Sequence, residues 1–388
     1  MGLGGNIRLL AIFNFFRSFN FYLPIQLVYF SKVTGSYSLA ASVISAALIS
    51  SAALEVPTGI FSDLIGRKKT IVLGTLCAIV AVTLYAIGAH YWYLLIGALF
   101  EGASKSFFSG NNDAYLHNIL AEEGKENEYH HYYGKINSAL TLASSTAALA
   151  SGFLANISFA LLMWASVIPQ IASLIVSFQL GETKKFHGES SNVYQHLKEA
   201  LGAIKSNYNL RMLSLSTILG NGAGLTAYQF QSVVINSVWP LWAIGIARAL
   251  QEWGGIPGFY YAGRLINRFG ALKITLFATI QSWLSNIIAA VFPSFFSPLF
   301  ISSSAFFYGP SDTAIKSLLQ SEFSEKQRAT IASLNSLAGS IYFAIVAFGV
   351  GLFANQFGPF KALLLTQLLF TPCIFLQWVL FRKQSRLV

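Results

Sequence analysis

The chain has 388 residues, of which 54% are apolar, 15% aromatic and only 10% charged, and its formal net charge is +10. Soluble domains carry about 25% charged residues, so a water-surrounded globule of this length is excluded, as is a disordered chain. The two cysteines, Cys77 and Cys373, lie in apolar runs, which leaves no disulfide framework and no thiolate metal site.

A bilayer core about 30 Å thick needs roughly 20 helical residues to cross it. Runs of that length recur near residues 8–30, 37–61, 70–89, 92–119, 132–156, 158–180, 209–233, 239–262, 271–292, 296–320, 329–355 and 358–381. The chain therefore reads as an all-α integral membrane protein with twelve transmembrane helices, and its short linkers make neighbouring spans antiparallel. Span 1 carries Arg17 and is too long for a cleavable signal peptide. Basic residues assign the sides. With twelve spans, 19 of the 25 Lys and Arg fall at the N-terminus, the even-to-odd connections and the C-terminal tail, against Lys32 and Lys361 alone on the other side. The positive-inside rule then places both termini in the cytoplasm and the protein in the plasma (cytoplasmic, inner) membrane. The charge excess is thus a topology signal, and no nucleic-acid partner is expected.

The chain repeats itself. Phe107-Phe108-Ser109-Gly110-Asn111-Asn112-Asp113 returns as Phe306-Phe307-Tyr308-Gly309-Pro310-Ser311-Asp312, and Asn137-Ser138 returns as Asn335-Ser336. Gly59, Asp63 and Gly66 return as Gly263, Asn267 and Gly270. Nearly equal offsets of about half the chain imply two parallel six-helix bundles related by an axis along the membrane normal, an arrangement found in secondary transporters. The expected units are residues 1–180 and 209–388. A cytoplasmic linker, 181–208, would join them and carry a short surface helix from Ser191 to Lys205, with Val193, His196, Leu197 and Ile204 roughly on one side.

At Gly59-Ile60-Phe61-Ser62-Asp63-Leu64-Ile65-Gly66-Arg67-Lys68-Lys69 the chain resembles the major facilitator superfamily (MFS). That family's signature between helices 2 and 3 has a glycine, an aspartate four residues on, a glycine three further on and a basic run. Gly59, Asp63, Gly66, Arg67 and Lys68 fill those places, while Leu64 stands where the family often has arginine. Glycines permit a tight turn and close approach, and a carboxylate such as Asp63 suits the positive N-terminal end of a facing helix. The resemblance implies that this helix is span 11, and that Arg67 pairs with an acid on the cytoplasmic part of span 4, for which Asp113 fits. It also implies a cytoplasmic gate, to which Asp312 would belong, and a central cavity lined by spans 1, 4, 7 and 10. Two features of the family's drug–proton antiporters are missing: residues 141–152 read TLASSTAALASG without proline, and Ala98 stands where those proteins carry arginine.

Five ionisable residues lie near mid-span: Arg17, Glu101, Lys105, Arg248 and Glu252. Each costs about 2.5–3.5 kcal/mol when facing the bilayer centre, so all five are expected to face the interior, where such charges mark a pathway or a site. Asn14, Ser18, Tyr22 and Gln26 recur four apart in span 1 with Arg17 beside them, and Glu101 and Lys105 stack four apart in span 4. Within the family's architecture Arg17, Glu101 and Lys105 would meet, either as a solute site or as a neutralised group that holds spans 1 and 4 together. Asn221, Tyr228, Gln229 and Tyr308 are the hydrogen-bonding candidates of the second half, with interhelical packing as their other reading. Arg248 and Glu252 are expected to pair with each other, and Glu55 is expected to be a gate or packing acid.

The function expected is secondary active transport of a small organic solute by alternating access, coupled to protons. Arg17 and Lys105 would hold an anionic or zwitterionic solute, and Glu101 would be the coupling carboxylate. A broad-specificity multidrug-type efflux pump is the alternative. A non-transporting sensor of transporter fold is another, though it would be expected to carry a long extra loop or tail, which these 388 residues do not show. There is no G-x-x-x-x-G-K-[ST] loop and no H-E-x-x-H helix, so neither an enzyme, a cofactor nor a metal is expected. The expected partners are the solute, the lipid bilayer and a coupling proton, and the resemblance implies a monomer.

Overall fold

The structure, a computed structural model, describes residues 3–122, 124–183, 193–322 and 328–384. Lys184, Lys185, Ser191, Lys326 and Arg386 lie outside the described residues, as do the side chains of His130, Val193, His196, Leu197, Lys198 and Arg328. Among the described residues sixteen α-helices follow one another. They are α1 (Leu3–Ser18), α2 (Gln26–Thr34), α3 (Tyr37–Ile65), α4 (Arg67–Ile87), α5 (Tyr91–Phe108), α6 (Asn111–Ala121), α7 (Tyr129–Ile157) and α8 (Phe159–Gln179). Then come α9 (Val193–Ser206), α10 (Tyr208–Val238), α11 (Ala243–Phe269), α12 (Ala271–Val291), α13 (Ser297–Ser303), α14 (Tyr308–Ser321), α15 (Arg328–Phe357) and α16 (Pro359–Gln384). By contacts the chain divides into two compact units, Met1–Thr34 with Ala46–Glu189, and Gly35–Ser45 with Ser190–Val388.

Seven helices among the described residues are long and apolar enough to cross a bilayer unbroken: α3, α4, α7, α8, α12, α15 and α16. The other five expected spans differ in an informative way. Spans 7 and 8 form the single helices α10 and α11, of 31 and 27 residues, but are more polar. Spans 1, 4 and 10 are each split, into α1/α2, α5/α6 and α13/α14. Backbone that leaves the helix at membrane depth must be satisfied within the protein, so such breaks occur where protein or a cavity surrounds them.

The breaks in spans 1 and 4 have local causes. Pro24 has no N–H and disfavours helix at the residue before it, and the chain passes through a 3₁₀ turn over Leu23–Ile25. The carbonyl of Arg17, freed at the end of α1, accepts from Asn20 Nδ2 (3.1 Å) and Gln170 Nε2 (3.2 Å). In span 4 the break falls at Ser109-Gly110, where Gly110 has φ +68°. In span 10 it falls between Ser303 and Tyr308. The repeated motif of the sequence therefore marks a break in both halves. The tight turns repeat as well: α3 passes to α4 through Gly66 (φ +99°), and α11 passes to α12 through Gly270 (φ +86°). Both sit in the left-handed half of conformational space, where glycine meets no steric cost.

In the first unit, one end of the bundle has a core of Leu10 and Phe13 from α1, Ile71 from α4, Phe108 from α5, Tyr115, Leu116 and Ile119 from α6, and Ile136 from α7. It clamps the two halves of span 4 against span 1. In the second unit, Leu213, Leu272 and Leu380 join α10, α12 and α16. Ala200 on α9 packs with Leu210 and Ile331, which docks the expected surface helix onto the second unit.

Candidate functional site

The first unit holds two separate polar clusters. One is built on α5. Glu101 and Lys105 are one turn apart on the same face and form an ion pair of 2.7 Å. Glu101 is buried, whereas the Lys105 side chain is 45% exposed. The Tyr85 hydroxyl, from α4, donates to Glu101 Oε2 at 2.6 Å. Tyr22, just before the 3₁₀ turn, meets Tyr85 edge-on at 5.5 Å and faces the same carboxylate, and Gln26 is buried at the start of α2.

The second cluster lines a pocket of about 160 Å³ among α1, α5, α6 and α7. Its polar residues are Asn14, Arg17, Asn112, Asp113, Tyr133 and Asn137, and its apolar walls include Leu10, Phe108, Leu116, Ile136 and Leu140. The Arg17 guanidinium lies over the Phe108 ring, 4.5 Å from its centroid. Among the described residues its buried Nε has no hydrogen-bond partner, and neither has the buried Oδ1 of Asn112. Asn112 Nδ2 donates to Asn14 Oδ1 (3.1 Å), and Asn14 Nδ2 donates to Leu10 O (2.9 Å). Asp113 is the acid in the field of Arg17, but the two do not reach ion-pair contact.

Arg17 thus does not join Glu101 and Lys105, as the family's arrangement of spans 1 and 4 implied. The reason is the break after Ser18. Tyr22 and Gln26 lie beyond it, so the four-residue stripe does not continue from Asn14 across the membrane. Asp113 also differs from expectation: it lines the pocket, and Arg67 pairs instead with Asp63, one turn away on the end of α3, at 2.7 Å. The side chain on α6 that ties the α3–α4 turn is Asn111. Ser62 Oγ donates to Asn111 Oδ1 (2.7 Å), Asn111 Nδ2 donates to Arg67 O (3.2 Å), and Arg67 Nη1 donates to Ser62 Oγ (3.0 Å). Lys68 is half-buried beside this group. Gly66 is required by its φ, but Gly59 lies within α3 and a Cβ there would meet nothing within 4 Å. Glu55 accepts from Ser109 Oγ at the span 4 break (3.3 Å).

In the second unit, Arg248 is 2% exposed and forms no ion pair with Glu252. Its guanidinium is satisfied by neutral groups: Gln251 Oε1 (2.8 Å), Gln231 Oε1 (3.3 Å), Ser232 Oγ and Tyr228 O (2.6 Å), and it lies 3.8 Å from the centroid of the Tyr228 ring. Gln251 and Gln231 also bond each other (3.0 Å), and Gln231 reaches Asn286 (2.9 Å). A buried charge with every donor satisfied holds helices together, so this group ties α10 to α11 and α12. Asn221 is exposed on α10, Gln229 is half-buried, and Tyr308 is exposed beside Phe259. Asp312 pairs with Lys316 at 2.7 Å.

Sequence reasoning missed Tyr85, Asn111, Asn112, Tyr133 and Asn137. The run Asn111-Asn112-Asp113 carried a readable signal, since three polar residues inside an apolar span need a reason. Tyr85, in an otherwise apolar helix, carried none.

The model of the Major Facilitator Superfamily matches residues 9–347. No curated protein sequence matches the chain. Among solved structures, the nucleoside transporter NupG superposes with a TM-score of 0.81 at 13% identity, covering 98% of this chain and 99% of that one. A bacterial homologue of the human lysosomal transporter Spinster, in an inward-facing and unoccupied conformation, gives 0.73 at 13% identity, covering 97% and 96%. The E. coli fucose:proton symporter FucP gives 0.63 at 16% identity, covering 98% and 99%. At these identities the likeness is one of fold.

Proposed function

The chain belongs to the major facilitator superfamily, and we propose that it is a secondary active transporter that moves a small polar organic solute by alternating access, coupled to protons. The observation that carries this reading is the pocket around Arg17. A guanidinium nitrogen and an amide oxygen are buried there without partners. Leaving such groups unpaired costs about 1–3 kcal/mol each, and more for a charged one. A solute that supplies the missing acceptor and donor recovers that cost, which is how a polar site inside a membrane gains both affinity and selectivity.

Glu101 is the proposed proton carrier. Its carboxylate is buried, yet Lys105 reaches it from a half-exposed position, so the same face that releases the lysine admits a proton. The likeness in fold to a protein named as a fucose:proton symporter supports proton coupling. Both chain ends are proposed to face the cytoplasm of a cell with the protein in its plasma membrane, on the strength of the basic-residue asymmetry, and a monomer is proposed as the working unit.

The test uses proteoliposomes and a panel of radiolabelled amino acids, nucleosides and sugars. A solute is expected to accumulate when an inward pH gradient is imposed. Glu101→Gln is expected to keep solute exchange at equal pH and to lose the acceleration by the gradient. Unchanged gradient dependence in that variant removes Glu101 from the coupling role.

A further inference from the structure

We infer that the Arg17 pocket takes a zwitterion, a solute with a carboxylate at one end and an ammonium group at the other; this rests on the reading of the pocket as the solute site. The pocket has two poles of opposite charge that do not touch. Arg17 is held on the face of the Phe108 ring, at the end of α1 that Asn20 and Gln170 secure through its carbonyl. Asp113 stands in the first turn of α6, where the unpaired N–H groups of a helix N-terminus favour a carboxylate. That terminus exists because span 4 breaks at Gly110. Asp113 is exposed and Arg17 half-buried, and the two charges stand on different elements, α6 and α1, without reaching ion-pair contact.

The unpartnered atoms have the matching polarity. The donor without an acceptor, Arg17 Nε, belongs to the positive pole, and the acceptor without a donor, Asn112 Oδ1, is next in sequence to the negative pole. A carboxylate suits the fork of donors on a guanidinium. An ammonium carries three donors, enough for the Asp113 carboxylate and Asn112 Oδ1 together. A monoanion satisfies Arg17 but faces Asp113, and a monocation meets the reverse conflict. An uncharged solute leaves both poles unneutralised. Leu10, Leu116, Ile136 and Leu140 supply an apolar wall for the carbon chain between the charged groups.

The test measures binding to the full-length protein in lipid nanodiscs by calorimetry and thermal shift. The probes are ω-amino acids from glycine to 6-aminohexanoate, the single-charge analogues butyrate and butylamine, and the uncharged solutes uridine and fucose. At least one ω-amino acid is expected to bind, and loss of either charged group to weaken it about 10–100-fold. Arg17→Gln is expected to erase the difference between 4-aminobutyrate and butylamine, and Asp113→Asn the difference between 4-aminobutyrate and butyrate. Arg17→Lys and Asp113→Glu, which keep the charges, are expected to retain zwitterion binding at reduced affinity and so show that the pocket is folded. If uridine or fucose binds in a manner abolished by Arg17→Gln while no ω-amino acid does, the zwitterion assignment is overturned and the pocket remains the solute site. If no probe responds to any substitution at Arg17, both readings fall.

Discussion

Replacing Tyr85 by phenylalanine removes one hydroxyl from a side chain with no solvent exposure and reports whether Glu101 carries its charge in the folded protein. The hydroxyl donates to Glu101 Oε2 at 2.6 Å, a length typical of O–H bonded to an ionised carboxylate. Hydrogen bonds to charged groups contribute about 1.5–3 kcal/mol, against about 0.5–1.5 kcal/mol for neutral pairs. The ring itself stays in place, wedged against Tyr22 at 5.5 Å and Phe30 at 4.9 Å, so the substitution opens no large cavity. Tyr29→Phe is the matched neutral control, because the Tyr29 hydroxyl donates to the Tyr85 carbonyl at 2.7 Å. Tyr85→Phe is therefore expected to cost about twice as much as Tyr29→Phe. The assay is reversible unfolding in nanodiscs of Tyr85→Phe, Glu101→Gln and the double variant, and the expected coupling is about 1.5–3 kcal/mol. The Lys105 ion pair, half-exposed at its lysine end, is expected to add about 1 kcal/mol or less. Equal costs for the two tyrosines, with a coupling under about 0.5 kcal/mol, would refute an ionised Glu101.

Two further outcomes test the turn between α3 and α4. Asn111→Ala removes the acceptor of Ser62 and the donor to Arg67 O, and is expected to lower stability by about 1–3 kcal/mol in thermal unfolding; Asp113→Ala, which breaks no bond to that turn, is expected to change it by about 1 kcal/mol or less. Gly66→Ala forces a side chain to φ +99° and is expected to cost about 1–3 kcal/mol, whereas Gly59→Ala, in open space within a helix, is expected to stabilise by about 0.5–1 kcal/mol. A larger loss at Gly59 than at Gly66 would show that the turn is not strained as described.

Local features of the chain were legible where one element contains both partners. The ion pair Glu101–Lys105 follows from spacing and forms; Asp312 and Lys316, also four apart, pair in the same way. The helix expected over Ser191–Lys205 is found at Val193–Ser206. Arg248 shows the limit: spacing pairs it with Glu252, yet the glutamines and serine of α10 and α11 claim its donors first. Spacing cannot rank a neighbour on the same helix against groups that another helix supplies.

The amino-acid sequence by itself determined that this chain is an all-α membrane protein of twelve spans in two related halves, because crossing a hydrocarbon layer takes about 20 helical residues and the repeat keeps its turn glycines, Gly66 and Gly270. Only the tertiary structure decided which polar residues keep company. The breaks near Phe19 and Gly110 part Arg17 from Glu101 and bring it to Asp113 instead. An unbroken apolar run reads the same in the sequence whether or not the backbone inside it bends, since the groups that satisfy the freed carbonyl, Gln170 above all, arrive from more than a hundred residues away.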